Sequence, residues 1–235
     1  MSRLDQQIFW DNEYKDPQLV TKSFIPQSDV TSFLSWVRRK QKYPIDVDAT
    51  ILDIGCGVGR HCIYIADQYG AQCFGFDFSA TAIALGNAYI QEHAVSGVHL
   101  TVQSLTDKIP LQDNSVDIVI DAMSSHSLLQ SERVFLLSEL YRVLKPGGFL
   151  FVRTFLKDGD ANAKELLKRF PGPEKDTYKH PRLHVVERVF EEKDFKQMYG
   201  NYFSVVSFDK KTGYQKWDNQ SYKRRYLIAH MQKKS

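Results

Sequence analysis

The chain has 235 residues, 43% of them hydrophobic and 25% charged, an ordinary globular composition that predicts one compact domain able to fold without disulfides or metal. Thirty-one Lys and Arg against 28 Asp and Glu leave a formal charge of +3, too small a field to imply nucleic acid by itself. No apolar stretch reaches bilayer length, residues 1–14 lack a signal-peptide apolar run, and Cys56, Cys62 and Cys73 make no CxxC pair, so a reduced, cytoplasmic protein is the expectation.

In chain order, two helix candidates at residues 6–14 and 30–42 make 1–49 an N-terminal helical cap. Strand-like runs follow at 51–54, 73–76, 98–102, 116–120 and 149–155, and apolar residues spaced by three and four predict helices at 60–69, 80–93 and 131–144 between them. Ser79 and Ser131 are N-cap candidates, and Lys145-Pro146-Gly147-Gly148 reads as a helix stop. Alternating strands and helices imply a parallel sheet covered on both faces. Residues 156–189 break the alternation with a helical piece at 161–170 and a Pro-, Gly- and His-bearing loop, a connection long enough to suggest a lid. The remainder, 190–235, reads as a helix at 191–199 and strands at 203–208 and 226–231 flanking a connector at 210–219. The last strand is therefore expected to be antiparallel.

The strongest local signal is Ile51-Leu52-Asp53-Ile54-Gly55-Cys56-Gly57-Val58-Gly59-Arg60, a buried strand whose three alternating glycines open a helix. Residues without a β-carbon let the chain turn sharply and let a ligand lie against the backbone, where the helix start offers free N–H donors. Twenty-two residues past Gly55 comes Asp77, placed to accept hydrogen bonds from ribose hydroxyls. A dinucleotide fingerprint requires a small residue where this chain has Arg60. A ligand with a ribose and an amino-acid tail, without a pyrophosphate, fits better.

With these residues the chain resembles the class I S-adenosylmethionine-dependent methyltransferases, with a core similar to the small-molecule, type 11 members. The resemblance covers about residues 50–152: ILDIGCGVGR looks like the first motif, GFDFS the second-strand acid, IPLQDNSVDIVI the fourth strand and LYRVLKPGGFLFV the approach to the fifth. It implies a Rossmann-like, doubly wound α/β fold with a seven-stranded sheet, mostly parallel with an antiparallel last strand, helices on both faces, and S-adenosylmethionine as cofactor. By the same resemblance Gly55, Cys56, Gly57 and Gly59 would line the methionine moiety, with Asp53 supporting its ammonium. Asp77 would bind ribose, Phe78 would lie against adenine, Ser104 and Leu105 would meet the adenine edge, and Tyr14 and Asp121 would flank the donor. Ser104 stands where similar members often carry an Asp. Trp10, Asp11 and Tyr14 resemble an N-terminal element that closes over the donor; a helix face packed on the sheet edge is the simpler alternative and compatible with it.

Methyl transfer is an in-line displacement that depends first on positioning, with an acid or base optional. Asp121 and His126, after the fourth strand, are the catalytic candidates. A buried imidazole satisfying the backbone is the alternative for His126. The Asx-Pro-Pro-aromatic turn of adenine or glutamine amino-methylating enzymes is absent here, and no cysteine lies near this edge for pyrimidine chemistry. Arg153, Tyr178, His180, Arg182 and His184 are substrate candidates from the fifth strand and the lid, though solvated loop residues are the simpler expectation for the lid members. The function expected is methyl transfer to an oxygen or nitrogen of a small polar or amphipathic molecule. Two alternatives stay open. Residues 156–235 hold 18 Lys and Arg against 11 Asp and Glu, and Lys210, Lys211, Lys216, Lys223, Arg224 and Arg225 interleave with Tyr214, Trp217, Tyr222 and Tyr226, which would suit RNA or a nucleotide. A solvated hairpin with aromatics facing the core accounts for the same pattern. The second alternative is a donor-binding partner protein without catalysis.

Overall fold

Among the described residues, nine strands and seven α-helices form where β-branched runs and three-and-four spacings alternate. A computed structural model describes residues 3–16, 23–181, 185–217 and 220–234. In chain order the helices are α1 (Arg3–Lys15), α2 (Ser28–Lys40), α3 (Arg60–Tyr69), α4 (Ala80–Glu92), α5 (Gln130–Val143), α6 (Ala161–Arg169) and α7 (Glu192–Gly200). The strands are β1 (Thr50–Ile54), β2 (Gln72–Asp77), β3 (Val98–Val102), β4 (Val116–Ala122), β5 (Leu144–Phe155), β6 (Thr177–Lys179), β7 (Val186–Arg188), β8 (Phe203–Trp217) and β9 (Gln220–Lys233). Seven of them make one sheet in the order β3-β2-β1-β4-β5-β9-β8, while β6 and β7 pair separately. Strands β1 to β5 are mutually parallel, and β9 is antiparallel to both β5 and β8. The last strand in the chain is thus the reversed one, and it lies inside the sheet rather than at its edge.

Period-two alternation sorts the sheet residues between two cores. Leu52, Ile54, Val119, Leu150 and Val152 pack against Leu136, Leu137 and Leu140 of α5 and Phe195 and Tyr199 of α7. Their neighbours Ile51, Ile118, Ile120, Phe149 and Phe151 pack against Phe33, Leu34 and Val37 of α2, Ile65 of α3 and Ile83 of α4. The helices therefore cover both faces. The chain order reverses between β1 and β4, and in open α/β sheets the ligand crevice lies beyond the carboxyl ends of the strands at such a reversal.

Four expectations need correction. Helix α5 is capped at Leu129 rather than Ser131, because the Glu132 carboxylate reaches back to accept the Leu129 N–H at 2.9 Å. Lys145 to Gly148 do not simply stop that helix: they belong to β5, at a register shift opposite Val116–Ile118, where a β-carbon on Gly148 would stand 2.8 Å from the Asp117 carbonyl oxygen. The 210–219 connector is mostly strand, since β8 and β9 pair from Phe203↔Lys233 to Trp217↔Gln220; Thr212, Tyr214 and Tyr222 are strand-favouring, and an antiparallel ladder extends without a crossover. The 156–189 segment carries an unforeseen two-stranded ribbon, with Tyr178 opposite Glu187.

Candidate functional site

The chain leaves β1 at Ile54 and turns through Gly55, Gly57 and Gly59 with φ of +63°, +57° and +76°. The turn is fastened to β2 by the Gly55 and Cys56 N–H groups, which donate to the Phe76 carbonyl at 2.7 and 3.1 Å. Two of the glycines are required by close approach as well as by φ. A β-carbon on Gly55 would stand 2.1 Å from Ser124 Oγ, and one on Gly57 would stand 2.4 Å from Tyr14 Oη. The Cys56 thiol is buried and donates to the Gly57 carbonyl.

Asp77 ends β2 beside this loop. Its two carboxylate oxygens accept the Gly57 and Ser79 N–H groups, each at 2.9 Å. Burial pushes its pKa up to about 6, with those hydrogen bonds resisting the shift. Asp53 shares the sheet face of Ile51 and so meets α3, where Oδ2 lies 3.1 Å from His61 Nδ1. His61 Nε2 is buried without a hydrogen-bond partner. Arg60 is half-buried; desolvation lowers its pKa, opposed by Asp53 and Tyr14 nearby.

Helix α1 closes over this corner. Gln7 Nε2 donates to the Phe78 carbonyl at 2.9 Å, and Asp11 Oδ1 accepts from Ser79 Oγ at 2.7 Å and the Thr81 N–H at 3.0 Å. Ser79 Oγ itself caps α4 by accepting the Ala82 N–H, as its sequence position suggested. Tyr14 reaches the glycine loop, and burial, then the Asp77 charge, drives its phenol pKa upward. Trp10 packs edge-on to Phe9 at 5.2 Å on the same helix. Beyond β3, the Ser104 hydroxyl is engaged locally, 2.7 Å from Thr106 Oγ1, and Leu105 packs at the margin of the α5-side core.

On the other side of the crevice Asp121 ends β4, buried, with a pKa raised by that burial. Its Oδ1 accepts the Ser124 and Ser125 N–H groups, both at 3.1 Å. These bonds shape the turn that sets Ser124 against Gly55 and leads into a 3-10 turn, Ser125–Ser127. His126 sits in that turn, edge-on to Phe155 at 5.0 Å, with Nε2 3.7 Å from Glu187 Oε1 and Nδ1 buried without a hydrogen-bond partner.

Segment 156–189 packs against His126, and its Tyr178, His180 and Glu187 side chains turn inward. Tyr178 and His180 are 0% and 2% exposed, which corrects the expectation of solvated loop residues. The cause is a buried network: Tyr178 Oη donates to Glu187 Oε2, Arg224 donates to Tyr178 Oη at 3.1 Å, and Arg224 Nε lies 3.2 Å from Asp160 Oδ2. Asp160 also caps α6 at the Ala163 N–H and accepts the Arg225 N–H. Burial pushes Glu187 upward, but His126, His180 and Tyr178 outweigh it and leave the pKa at about 2. Arg153, at the end of β5, lies 3.3 Å from Asp29 and stacks 4.3 Å from the Tyr226 ring. Arg182 and His184 lie outside the described residues.

The structure brings Asp53, the glycines, Asp77 and Tyr14 together, and separately His126, Tyr178 and His180. Sequence reasoning did not single out Glu187, Asp160, His61 or Ser124. Glu187 and Arg188 did leave a signal, as charged residues inside the apolar run Val185-Val186-Glu187-Arg188-Val189-Phe190.

Residues 51–148 match the family described as methyltransferase domain. The chain is 33% identical over 120 residues to a probable chloroplastic tocopherol O-methyltransferase of Oryza sativa subsp. japonica, covering 51% of this chain and 32% of that protein. It is 34% identical over 110 residues to an arsenite methyltransferase of Aquipseudomonas alcaligenes, covering 43% of this chain and 31% of the relative. The chain thus spans about a third of the length of these curated relatives. Among solved structures, a Methanosarcina mazei protein described as a SAM-dependent methyltransferase superposes with a TM-score of 0.70 at 21% identity, covering 89% of this chain and 99% of that one. The Burkholderia thailandensis 1,6-didemethyltoxoflavin-N1-methyltransferase, solved with S-adenosylhomocysteine, gives 0.68 at 14% identity, covering 99% and 88%.

Proposed function

We propose, from the premise that this chain belongs to the class I S-adenosylmethionine-dependent methyltransferases, that it transfers a methyl group to an oxygen or nitrogen atom of a small polar or amphipathic molecule. The observation that carries the reading is the juxtaposition of Asp77, held by the Gly57 and Ser79 amides, with a glycine loop approached closely by Ser124 and by Tyr14 of α1. These residues fit the donor. A carboxylate has acceptor capacity beyond two amides and takes the ribose hydroxyls. Gly55, Gly57 and Gly59 leave the backbone bare for the amino-acid tail, with Asp53 toward its ammonium and Arg60 toward its carboxylate. Phe78 offers a face for adenine, and Ser104 and Leu105 border that end. The bound donor supplies an electrophilic methyl on a sulfonium. The chain's task is to hold the acceptor in line with it and keep water out.

The acceptor pocket is assigned between the Asp121–His126 turn, Arg153 and the inward face of segment 156–189. Asp121, its Oδ1 taken up by two backbone amides, sets the turn, while His126 keeps an open ring nitrogen. Arg153, Tyr178 and His180 favour a polar acceptor. An RNA acceptor is less well supported. Of the cations in the basic stripe, Lys210 pairs with Glu192, Lys211 with Asp29, and Arg224 is fully buried on Asp160, so these three are neutralised within the fold.

Incubation of the full chain with methyl-labelled S-adenosylmethionine and a soluble metabolite extract tests the proposal, together with calorimetric titration of the donor. A labelled small product and saturable binding are expected. A folded protein that shows no binding at high-micromolar donor refutes the reading. Binding without any labelled product points instead to the non-catalytic partner.

A further inference from the structure

His126 and Glu187 come from opposite sides of the buried region under segment 156–189, and each is 5% exposed. The Glu187 carboxylate accepts from Tyr178 at Oε2, and its Oε1 faces His126 Nε2 at 3.7 Å, beyond hydrogen-bond length but within ion-pair reach of a protonated imidazole, so a small shift of either side chain closes the contact. His126 is committed only at Nε2. Its Nδ1 is buried without a hydrogen-bond partner, a condition that costs about 1–3 kcal/mol and persists where a ligand completes it. The other charged or titratable groups facing the pair are Asp121 at the end of β4, Tyr178 and His180 on and just after β6, and Arg224 on β9 behind Tyr178. Asp121 cannot easily take the same role, since its Oδ1 holds the turn together.

We propose that Glu187 is a positioning residue that holds His126 as the Nε2–H tautomer, leaving the Nδ1 lone pair to take a proton from the methyl acceptor. The inference rests on the methyltransferase reading and narrows it to acceptors whose attacking atom carries a proton: a hydroxyl, a phenol or a protonated amine. A free nucleophile needs no such base. In the step, the acceptor oxygen or nitrogen bonds to the methyl carbon while the carbon–sulfur bond breaks, its electron pair going to sulfur. The acceptor's proton passes to Nδ1, and the imidazolium charge is met by Glu187. Water later takes that proton.

The test is imidazole nitrogen NMR of the full chain, with His126→Gln for assignment, alongside labelled-methyl transfer into a soluble metabolite extract. Neutral wild-type His126 is expected as the Nε2–H tautomer; an Nδ1–H tautomer overturns the proposal without any variant. Glu187→Gln is expected to mix the tautomers, lower the transfer rate about a hundredfold and change its pH profile. Glu174→Gln, which removes a carboxylate of the same segment that accepts the Gln130 N–H at the start of α5 rather than facing His126, is expected to leave tautomer and profile unchanged. Equal losses in both variants, or a wild-type rate in Glu187→Gln, would assign the network a purely structural role. Calorimetry with S-adenosylmethionine separates the two failures. Loss of donor binding in the wild type defeats the methyltransferase reading, whereas intact binding with unaltered transfer in Glu187→Gln defeats only the inference.

Discussion

The two sides of the crevice are built from different materials. Around Gly55–Gly59 and Asp77–Ser79 the backbone does most of the work: amides point at a carboxylate, glycines adopt positive φ, and the binding surface is main chain. Around His126 the surface is a network of side chains drawn from the 3-10 turn, β6, β7, α6 and β9, held by charges out of water. A backbone site tolerates change at neighbouring side chains but not at its glycines. A buried charge network fails when one partner is removed, because the other is left unpaired.

The largest effect is expected from Asp160→Ala, which removes the carboxylate paired with the fully buried Arg224 guanidinium and the α6 cap. Denaturant unfolding should show a loss of about 3–5 kcal/mol; a loss below about 1 kcal/mol would mean that the network is not what holds this side together. Next comes Asp77→Ala, expected to weaken S-adenosylmethionine binding at least about a hundredfold, roughly the loss of two charge-assisted hydrogen bonds. The wild-type affinity carries a sign as well. Burial raises the Asp77 pKa from 3.8 to about 6, so the accepting carboxylate is present above that pH, and donor affinity should fall about tenfold per unit below it. The Asp77→Ala variant should lack this dependence, as titration calorimetry between pH 5 and pH 8 would reveal.

Gly55→Ala tests the backbone side directly. The +63° φ and the 2.1 Å approach to Ser124 predict about 2 kcal/mol of destabilisation, read from the melting temperature, together with weaker donor binding. An alanine tolerated without loss would remove the distinction between the two sides. The smallest effect is expected from Asp11→Ala, which removes two hydrogen bonds between α1 and the start of α4, for about 1 kcal/mol. Hydrogen exchange should quicken in α1 while the sheet amides stay protected.

Much of the sheet was legible because it repeats local rules. Ile51, Leu52 and Ile54 alternate between two cores, Gly55, Gly57 and Gly59 announce a turn no other residue makes cheaply, and Ser79 caps the helix it precedes. The misplaced boundaries are those where a side chain or a neighbouring strand takes up the backbone. Glu132 and Glu174 carboxylates take the Leu129 and Gln130 amides at the start of α5, and the β4–β5 register draws Lys145 to Gly148 into the sheet.

The sequence alone therefore determined the doubly wound core, the glycine loop and its acid, since each depends on contacts a few residues long or on a strand–helix period. Only the tertiary structure decided that Tyr178 and His180 face inward, that Lys210, Lys211 and Arg224 are internally paired, and that Glu187 meets His126. Those outcomes depend on which charges the packed chain must bury together. Glu187 lies 61 positions from its imidazole partner and Arg224 lies 64 from Asp160, separations over which no local pattern of residues carries information.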